Sequence, residues 1–305
     1  MRKILVLTAA LFAIALAVFF AKSAAEASAP LSMTEAADAA CNGCHAGGNL
    51  AISLPSGEKM SLKVDPTLLA GSVHRQLACT SCHQTLTGYP HPPSDIPSVR
   101  EYQLSREDLC WGCHADKVAE MQESVHRKDV SRPDVATCAD CHGAHDVQAP
   151  AAAATRLGSV TACNGCHANE RLMDRYGIST GVIQAFYDDF HGKTVALAGL
   201  KSGAANVEVA VCADCHGAHN ILRADAAGSM VAAANLPDTC GRCHEGANAN
   251  FTSAWLSHRE PDLGEAPLVF LARWFYRIMI PFIVVGLLAH VILDARRARR
   301  KGEAK

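Results

Sequence analysis

Cysteine and histidine recur in one arrangement, CxxCH, in which two thiols are separated by two residues and an imidazole follows at once. All 14 cysteines of the 305-residue chain belong to this arrangement, which occurs seven times. The cysteine pairs are Cys41 and Cys44, Cys79 and Cys82, Cys110 and Cys113, Cys138 and Cys141, Cys163 and Cys166, Cys212 and Cys215, and Cys240 and Cys243. The histidines that follow them are His45, His83, His114, His142, His167, His216 and His244. Two thiols at this spacing add to the vinyl groups of a haem as thioethers, and the adjacent imidazole binds the iron. The motifs therefore predict seven covalently bound haem c groups.

Other uses of paired cysteines explain less of the pattern. Seven disulfides would use every cysteine but would not require a histidine after each pair. Zinc sites combine CxxC pairs or Cys/His sets at fixed spacings, and seven pairs do not divide evenly among them. A redox-active CxxC is normally single in a chain. Haem attachment accounts for the cysteines and the histidines together.

Eight of the 15 histidines lie outside these motifs. Seven of them are candidates for the second axial position of the seven irons: His74, His91, His126, His145, His191, His219 and His258. In the repeated sequence CADCHGAH, at 138–145 and 212–219, the second histidine is too near its own motif to reach the same iron, so we expect it to bind a neighbouring haem. Two imidazoles complete the coordination of an iron and leave no position for a substrate, which favours electron transfer over catalysis.

His91 fits this scheme least well, because it follows His83 by eight residues in a proline-rich segment, 90–97. If His91 is not a ligand, one haem is open, or a methionine such as Met60 or Met173 takes the position. An open haem is the basis of the alternative function, a multihaem oxidoreductase acting on a small nitrogen or sulfur compound.

Two apolar segments predict how the chain is placed in the cell. Residues 1–27 have a basic start, an apolar stretch and a small-residue cleavage site, which predicts a signal peptide; an uncleaved anchor is the alternative. Residues 268–293 predict a transmembrane helix, and the basic tail 294–305 is expected in the cytoplasm. Residues 28–267 are then periplasmic on a single-pass inner-membrane protein. Because the only basic run flanks the membrane segment, no nucleic-acid binding is expected.

One histidine lies inside the predicted membrane helix. His290 is an ionisable residue in an apolar segment, which makes it a candidate for function. It can bind a b-type haem shared with a partner subunit or contribute to a quinone site. Alternatively, it hydrogen-bonds Asp294 or lipid headgroups.

The segment between the two membrane regions is too short to build an ordinary apolar core around seven haems. We therefore expect a mostly α fold of short helices and extensive loops, with the stacked haems as its core, little or no sheet, and one C-terminal transmembrane helix. Apolar residues at helical spacing predict short helices that end at His126, His191 and His258. The motifs form an irregular repeat with units at about 41–91, 110–145 and 163–219 and a half unit at 240–258.

The chain resembles the membrane-bound multihaem c-type cytochromes of anaerobic and metal-respiring bacteria. The resemblance rests on the seven CxxCH motifs, on CHGAH at 141–145 and 215–219, and on the ending WFYRIMIPFIVVGLLAHVILDARR at 274–297. It implies electron transfer between the quinone pool, through a membrane cytochrome b or quinol-oxidising subunit, and periplasmic redox proteins. The C-terminal anchor differs from the N-terminal anchor of tetrahaem quinol dehydrogenases, so direct quinol oxidation does not follow, and the anchor also argues against an extracellular nanowire.

Overall fold

The computed structural model describes residues 33–86, 88–92, 95–128, 132–199, 209–255, 257–264 and 266–303. The predicted signal peptide, 1–27, lies outside these residues. The chain divides into two compact units, Met1–Thr155 and Arg156–Lys305.

The first unit consists of short helices and one small hairpin. Its helices are α1 (Met33–His45), α2 (Pro66–Gly71), α3 (Cys79–Cys82), α4 (Val99–Ser105), α5 (Asp108–Trp111), α6 (Ala115–Gln122) and α7 (Cys138–His142). Strands β1 (Ala51–Ser53) and β2 (Lys59–Ser61) pair antiparallel, with Ile52 opposite Met60. Gly57 closes the turn between them at φ 86°, a conformation that favours glycine.

Short helices also make up the second unit, apart from its long last helix. Helix α8 (Ala153–His167) begins at the boundary between the units. It is followed by α9 (Glu170–Met173), a 3₁₀ turn (Asp174–Tyr176), α10 (Gly181–Asp188), α11 (Phe190–Gly199), α12 (Cys212–His216), α13 (Leu236–Gly241), α14 (Ala249–Ser253) and α15 (Pro267–Glu303). The described residues thus contain only two short strands, and the prediction of a mostly helical fold with little sheet is confirmed.

The protein core is small. One apolar cluster lies in the second unit and is formed by Val160, Phe186, Val195, Ala198, Val209 and Val211. Several of the most deeply buried side chains are small and polar: Ser72, Ser124 and Thr137. Because a stable domain normally buries many large apolar side chains, a core of this kind is consistent with bound groups that supply the missing apolar volume.

The helices before three candidate ligands end earlier than the sequence predicts. They stop at Gln122, Asp188 and Ser253 instead of at His126, His191 and His258. In one case, the Ser124 hydroxyl accepts the backbone N–H of His126 at 3.3 Å, so a side-chain turn replaces the last helical turn.

Helix α15 is long and apolar enough to cross a membrane, by length and composition. The candidate span is Pro267–Arg300, and none of its most apolar window is buried. Pro281 lies inside the helix without ending it. The helix confirms the expected long apolar C-terminal helix and is compatible with a single-pass membrane anchor.

Candidate haem-binding sites

Every CxxCH motif lies on a helical turn. Motifs one and five end the longer helices α1 and α8, and the others lie on or at the ends of α3, α5, α7, α12 and α13. In motif three, the His114 N–H donates to the Cys110 carbonyl at 3.1 Å. Residues at positions i, i+3 and i+4 share one helical face, so both thiols and the imidazole point the same way. A porphyrin attached through two thioethers requires this orientation.

Five motif histidines face five histidines from elsewhere in the chain. The ring centroids are 6.1–6.3 Å apart in all five pairs. The pairs are His45 with His91, His83 with His145, His114 with His74, His244 with His191, and His216 with His258. Each pair therefore joins one histidine from a CxxCH motif to one predicted second ligand. His91, which fits the sequence pattern least well, is placed like the others.

This spacing fits a metal ion between two imidazoles. An imidazole nitrogen binds a transition-metal ion at about 2.0 Å and lies about 1.2 Å from its ring centroid, so two imidazoles on opposite sides of one ion place their centroids about 6.4 Å apart. A direct hydrogen bond between the rings, with their nitrogens about 3 Å apart, would place the centroids about 5.4 Å apart, closer than in any of the five pairs. The residues therefore fit axial ligation of haem iron by two histidines.

Hydrogen bonds hold the second-ligand segments in place. The Ser72 hydroxyl, which is fully buried, donates to the Val147 carbonyl at 3.0 Å and accepts the His74 N–H at 3.1 Å. Val73 N–H also donates to the Val147 carbonyl at 2.8 Å. These bonds tie the segment carrying His74 to the segment that follows His145. The matching sequences GSVH and ESVH place a buried serine two residues before His74 and His126 alike.

Burial favours the neutral form of four candidate ligand imidazoles, which is the form that binds metals. It lowers the pKa of His83, His167, His216 and His258, with neighbouring histidines adding to the effect at His83 and His216. The neutral imidazole has a free lone pair, which a metal ligand requires. At His45, Nδ1 lies 2.6 Å from the Leu62 carbonyl, and this contact leaves Nε2 as the ligating nitrogen.

Cysteines of different motifs lie against one another, which gives the order of the sites within each unit. In the first unit, Cys79 lies beside Cys41, and Cys110 lies beside Cys138. Cys82 lies near Cys110, so motifs one to four follow each other in space. In the second unit, Cys163 lies beside Cys212, and Cys215 lies near Cys240. Motifs five to seven are therefore also consecutive.

An arginine fixes each of the two CADCH turns. Arg100 Nη1 lies 3.0 Å from both carboxylate oxygens of Asp140, and its guanidinium also donates to the Val135 carbonyl. In the second unit, Arg156 binds Asp214 at 2.9 and 3.1 Å and the Val209 carbonyl at 3.1 Å.

The aspartate of each CADCH turn also caps the helix that carries the motif. Asp140 accepts the Thr137 N–H, and Asp214 accepts the Val211 N–H. Neither arginine is identifiable from the sequence alone, because nothing near it in the chain marks it; the repeated aspartate of CADCH is the available signal.

After each CADCH helix a glycine turns the chain toward the second histidine. Gly143 has φ 72° and Gly217 has φ 80°. A side chain at Gly143 would be strained at this φ, and its Cβ would lie 2.3 Å from Asp146 Oδ1, so the Asp146 side chain would have to move. This turn directs His145 away from its own motif and toward His83.

A buried ion pair lies beside the third and fourth motifs. Arg127 Nη1 pairs with Glu107 Oε2, and their side chains are only 14% and 6% exposed. The other Glu107 oxygen lies 3.8 Å from Cys138 Sγ. Arg127 also packs over the Trp111 ring at 5.9 Å. No local sequence pattern marks either charged residue.

Four predicted ligands lie outside the five pairs. His126 follows α6, His142 ends α7, His167 ends α8, and His219 follows the Gly217 turn. His290 lies on the exposed helix α15. Among the described residues, no group of three or more Cys, His, Asp or Glu side chains is placed to bind a bare metal ion. All fourteen cysteines, which fall within the described ranges, lack a disulfide partner.

Residues 68–143 match the family model described as cytochrome c7 and related cytochrome c. The matched segment is about a quarter of the chain and contains the second, third and fourth CxxCH motifs. A comparison with curated proteins finds no match, and a comparison with solved structures finds none either. The family match supports a multihaem c-type cytochrome, a protein class in which covalently bound haem c serves electron transport.

Proposed function

We propose that the chain is an electron-transfer protein that holds seven haem c groups, each between two histidines. The observation that carries the proposal is the set of five histidine pairs, all at 6.1–6.3 Å and all joining a CxxCH histidine to a histidine from another segment. The family match over residues 68–143 supports the same function.

The last two pairs follow by elimination. Once three pairs are formed in the unit Met1–Thr155, His142 and His126 remain as motif histidine and second ligand. In the unit Arg156–Lys305, His167 and His219 remain in the haem region. The pairing of His167 with His219 also matches that of His45 with His91, since each second ligand follows the next motif along the chain.

The protein's residues serve this function in two ways, through the paired imidazoles and through the spacing of the motifs. The bound iron supplies a centre that accepts and releases one electron. The paired imidazoles would hold the iron between them and leave no position for a substrate, and the contacts between cysteines of successive motifs favour closely spaced sites. A chain of such sites suits electron transport better than turnover of a small molecule.

For the cellular context, we propose a signal peptide at 1–27, a periplasmic region at 28–267, and an inner-membrane anchor in α15 with the tail 294–305 in the cytoplasm. A membrane cytochrome b or quinol-oxidising subunit connected to the quinone pool would exchange electrons with periplasmic redox proteins through this chain. His290 is a candidate to bind a b-type haem with such a subunit. The apolar, exposed surface of α15 supports the anchor.

Two measurements on the purified full-length protein test the proposal. A pyridine haemochrome assay against protein concentration is expected to give seven haem c groups per chain. Low-temperature EPR of the oxidised protein, with and without cyanide or nitrite, is expected to show only low-spin haem that the added ligands do not change. A high-spin haem that binds either ligand would instead favour the oxidoreductase alternative, and a lower haem count would contradict the seven-site assignment.

A further inference from the structure

The corner between α10 and α11 is joined to the beginning of the membrane helix. Arg273 Nη2, on the second turn of α15, lies 3.6 Å from Asp188 Oδ2 at the end of α10. Asp188 also pairs with Lys193 of α11 at 3.4 Å. These charges connect the region that carries His191 to the helix that we propose as the anchor.

The same corner exposes a large aromatic side chain. Gly192 packs so closely on α10 that an added Cβ would lie 2.0 Å from the Phe186 carbonyl, and Phe186 itself is buried in the core. Phe190, by contrast, is 82% exposed and packs edge-on against the ring of His191 at 6.4 Å. Leu197, further along α11, is 61% exposed. Phe190 and Leu197 are seven residues apart and therefore share one face of α11, where an apolar partner would cover both side chains.

Residues of α15 indicate the depth of this corner. Trp274 and Tyr276 are of the type that lies at the membrane surface, and the Arg277 guanidinium lies 5.7 Å over the Trp274 ring. The uncharged stretch begins at Ile278, and at about 1.5 Å per residue Arg273 is roughly 8 Å from it along the helix axis. Two residues of chain span at most about 7 Å, so Phe190 lies near Asp188. Because Asp188 pairs with Arg273, Phe190 also lies near the level of Arg273 along the axis of α15.

We infer that Phe190 rests in the headgroup region of the membrane that anchors α15, so that the His191–His244 site lies at the membrane surface. The inference deepens the proposed function and rests on its anchor. The occupant is phospholipid: the phenyl ring suits the boundary between headgroups and acyl chains, and Lys193 and Arg273 suit anionic phosphates. The site held by His191 and His244 is then placed to exchange electrons with a membrane donor or acceptor.

Photo-crosslinking of the full-length protein tests this placement. Benzoylphenylalanine replaces Phe190, Tyr89 or Phe282 in separate variants, and each is reconstituted in nanodiscs of phosphatidylethanolamine and phosphatidylglycerol. Tyr89 is a matched control, because it is 91% exposed and also packs edge-on against a candidate ligand, His91. Phe282, within α15 and 79% exposed, reports the anchor alone. Haem content and the absorption spectrum confirm that each variant is assembled.

Lipid adducts, counted by mass spectrometry, are expected at positions 190 and 282 at levels several-fold above position 89. Adducts at 282 without adducts at 190 would overturn the inference and leave the proposed anchor intact. Equal adducts at 190 and 89 would also overturn it, because the contact would not be specific to this corner. No adduct at 282 would overturn the anchor and the inference together. In native membranes, a protein adduct at 190 in place of lipid would assign the surface to a partner subunit and overturn the lipid contact.

Discussion

The imidazole of His74 faces that of His114 with ring centroids 6.1 Å apart, although His74 precedes the second motif and His114 closes the third. The second unit repeats the relationship: His191 precedes motif six and faces His244 of motif seven, also at 6.1 Å. In both units, therefore, a site is completed by a histidine that lies upstream of an intervening motif. The ligands of successive sites interleave, so neither of these two sites can form from a short contiguous segment.

Replacement of His74 by methionine is expected to raise the reduction potential of one haem. A thioether is a weaker donor to ferric iron than an imidazole, so His/Met ligation favours the reduced state relative to bis-histidine ligation. Spectroelectrochemical titration of the His74→Met protein should show one haem displaced to higher potential and the others little changed. Leu68→Met, which adds a methionine at a half-exposed position, is the control and should leave the titration unchanged. A high-spin haem in place of the shifted one would mean that the introduced thioether does not reach the iron.

The pairs assigned by elimination predict that His126→Ala and His219→Ala each open one site. Each variant should gain one high-spin haem in the EPR spectrum, and that haem should bind cyanide. His145→Ala, which removes the ring 6.3 Å from His83, provides the positive control. If either His126→Ala or His219→Ala stayed fully low-spin, the corresponding assignment to His142 or His167 would be wrong.

The arginine that binds Asp214 should contribute measurably to stability. Arg156→Met removes two bonds to a carboxylate and one to the Val209 carbonyl, and charge-assisted hydrogen bonds each contribute about 1.5–3 kcal/mol, less at this partly exposed site. We expect a loss of about 1–2 kcal/mol, with Arg156→Lys recovering only part because lysine lacks the two-pronged geometry. Guanidinium denaturation followed in the haem absorption band measures it.

Arg223→Met is the matched control for that experiment. Its partner Asp225 is also an aspartate, but the two side chains are 71% and 70% exposed. An exposed pair of this kind contributes little, so the denaturation midpoint should not move. Equal effects of Arg156→Met and Arg223→Met would contradict a special role for Arg156.

The buried pair of Glu107 and Arg127 should control both stability and potential at the third and fourth sites. Arg127→Met leaves the Glu107 carboxylate without its partner, 3.8 Å from Cys138 Sγ, and this negative charge stabilises ferric iron and lowers the potential. Glu107→Gln leaves the arginine charge and raises the potential. Either single change also costs about 3–5 kcal/mol, whereas the double variant costs less because no charge stays buried alone.

Redox titration and denaturation of the two single variants and the double variant form one cycle. Shifts of the potential in the same direction for Arg127→Met and Glu107→Gln would exclude an electrostatic cause. Additive losses of stability would show that the two residues act independently.

The helical fold could be predicted, and candidate haem-binding residues could be identified, because both depend on local patterns. CxxCH encodes its own helical turn, and the apolar segment 268–293 needs no neighbour to be recognised as a long helix. The pairing of the histidines could not be predicted. It depends on which segments the hydrogen bonds bring together, such as the bond from Ser72 to Val147, and such contacts link residues far apart in sequence.

Charged residues around the sites were missed for the same reason. Arg100 and Arg156 lie in different helices from the aspartates they bind, and Glu107 and Arg127 are separated by a complete motif. A periodic apolar pattern reports one face of one helix, whereas these contacts join different elements. The roles of these four charged residues can therefore be seen only in the folded structure, where the helical turns bring them together.

The Gly143 turn has a consequence for truncated forms of the protein. Both histidines of the pair His74 and His114 are present in a chain that ends at residue 114. His83, however, meets its partner only when the chain continues through the Gly143 turn to His145. A fragment that ends just before residue 145 would carry four complete CxxCH motifs and still lack the second ligand of its second site.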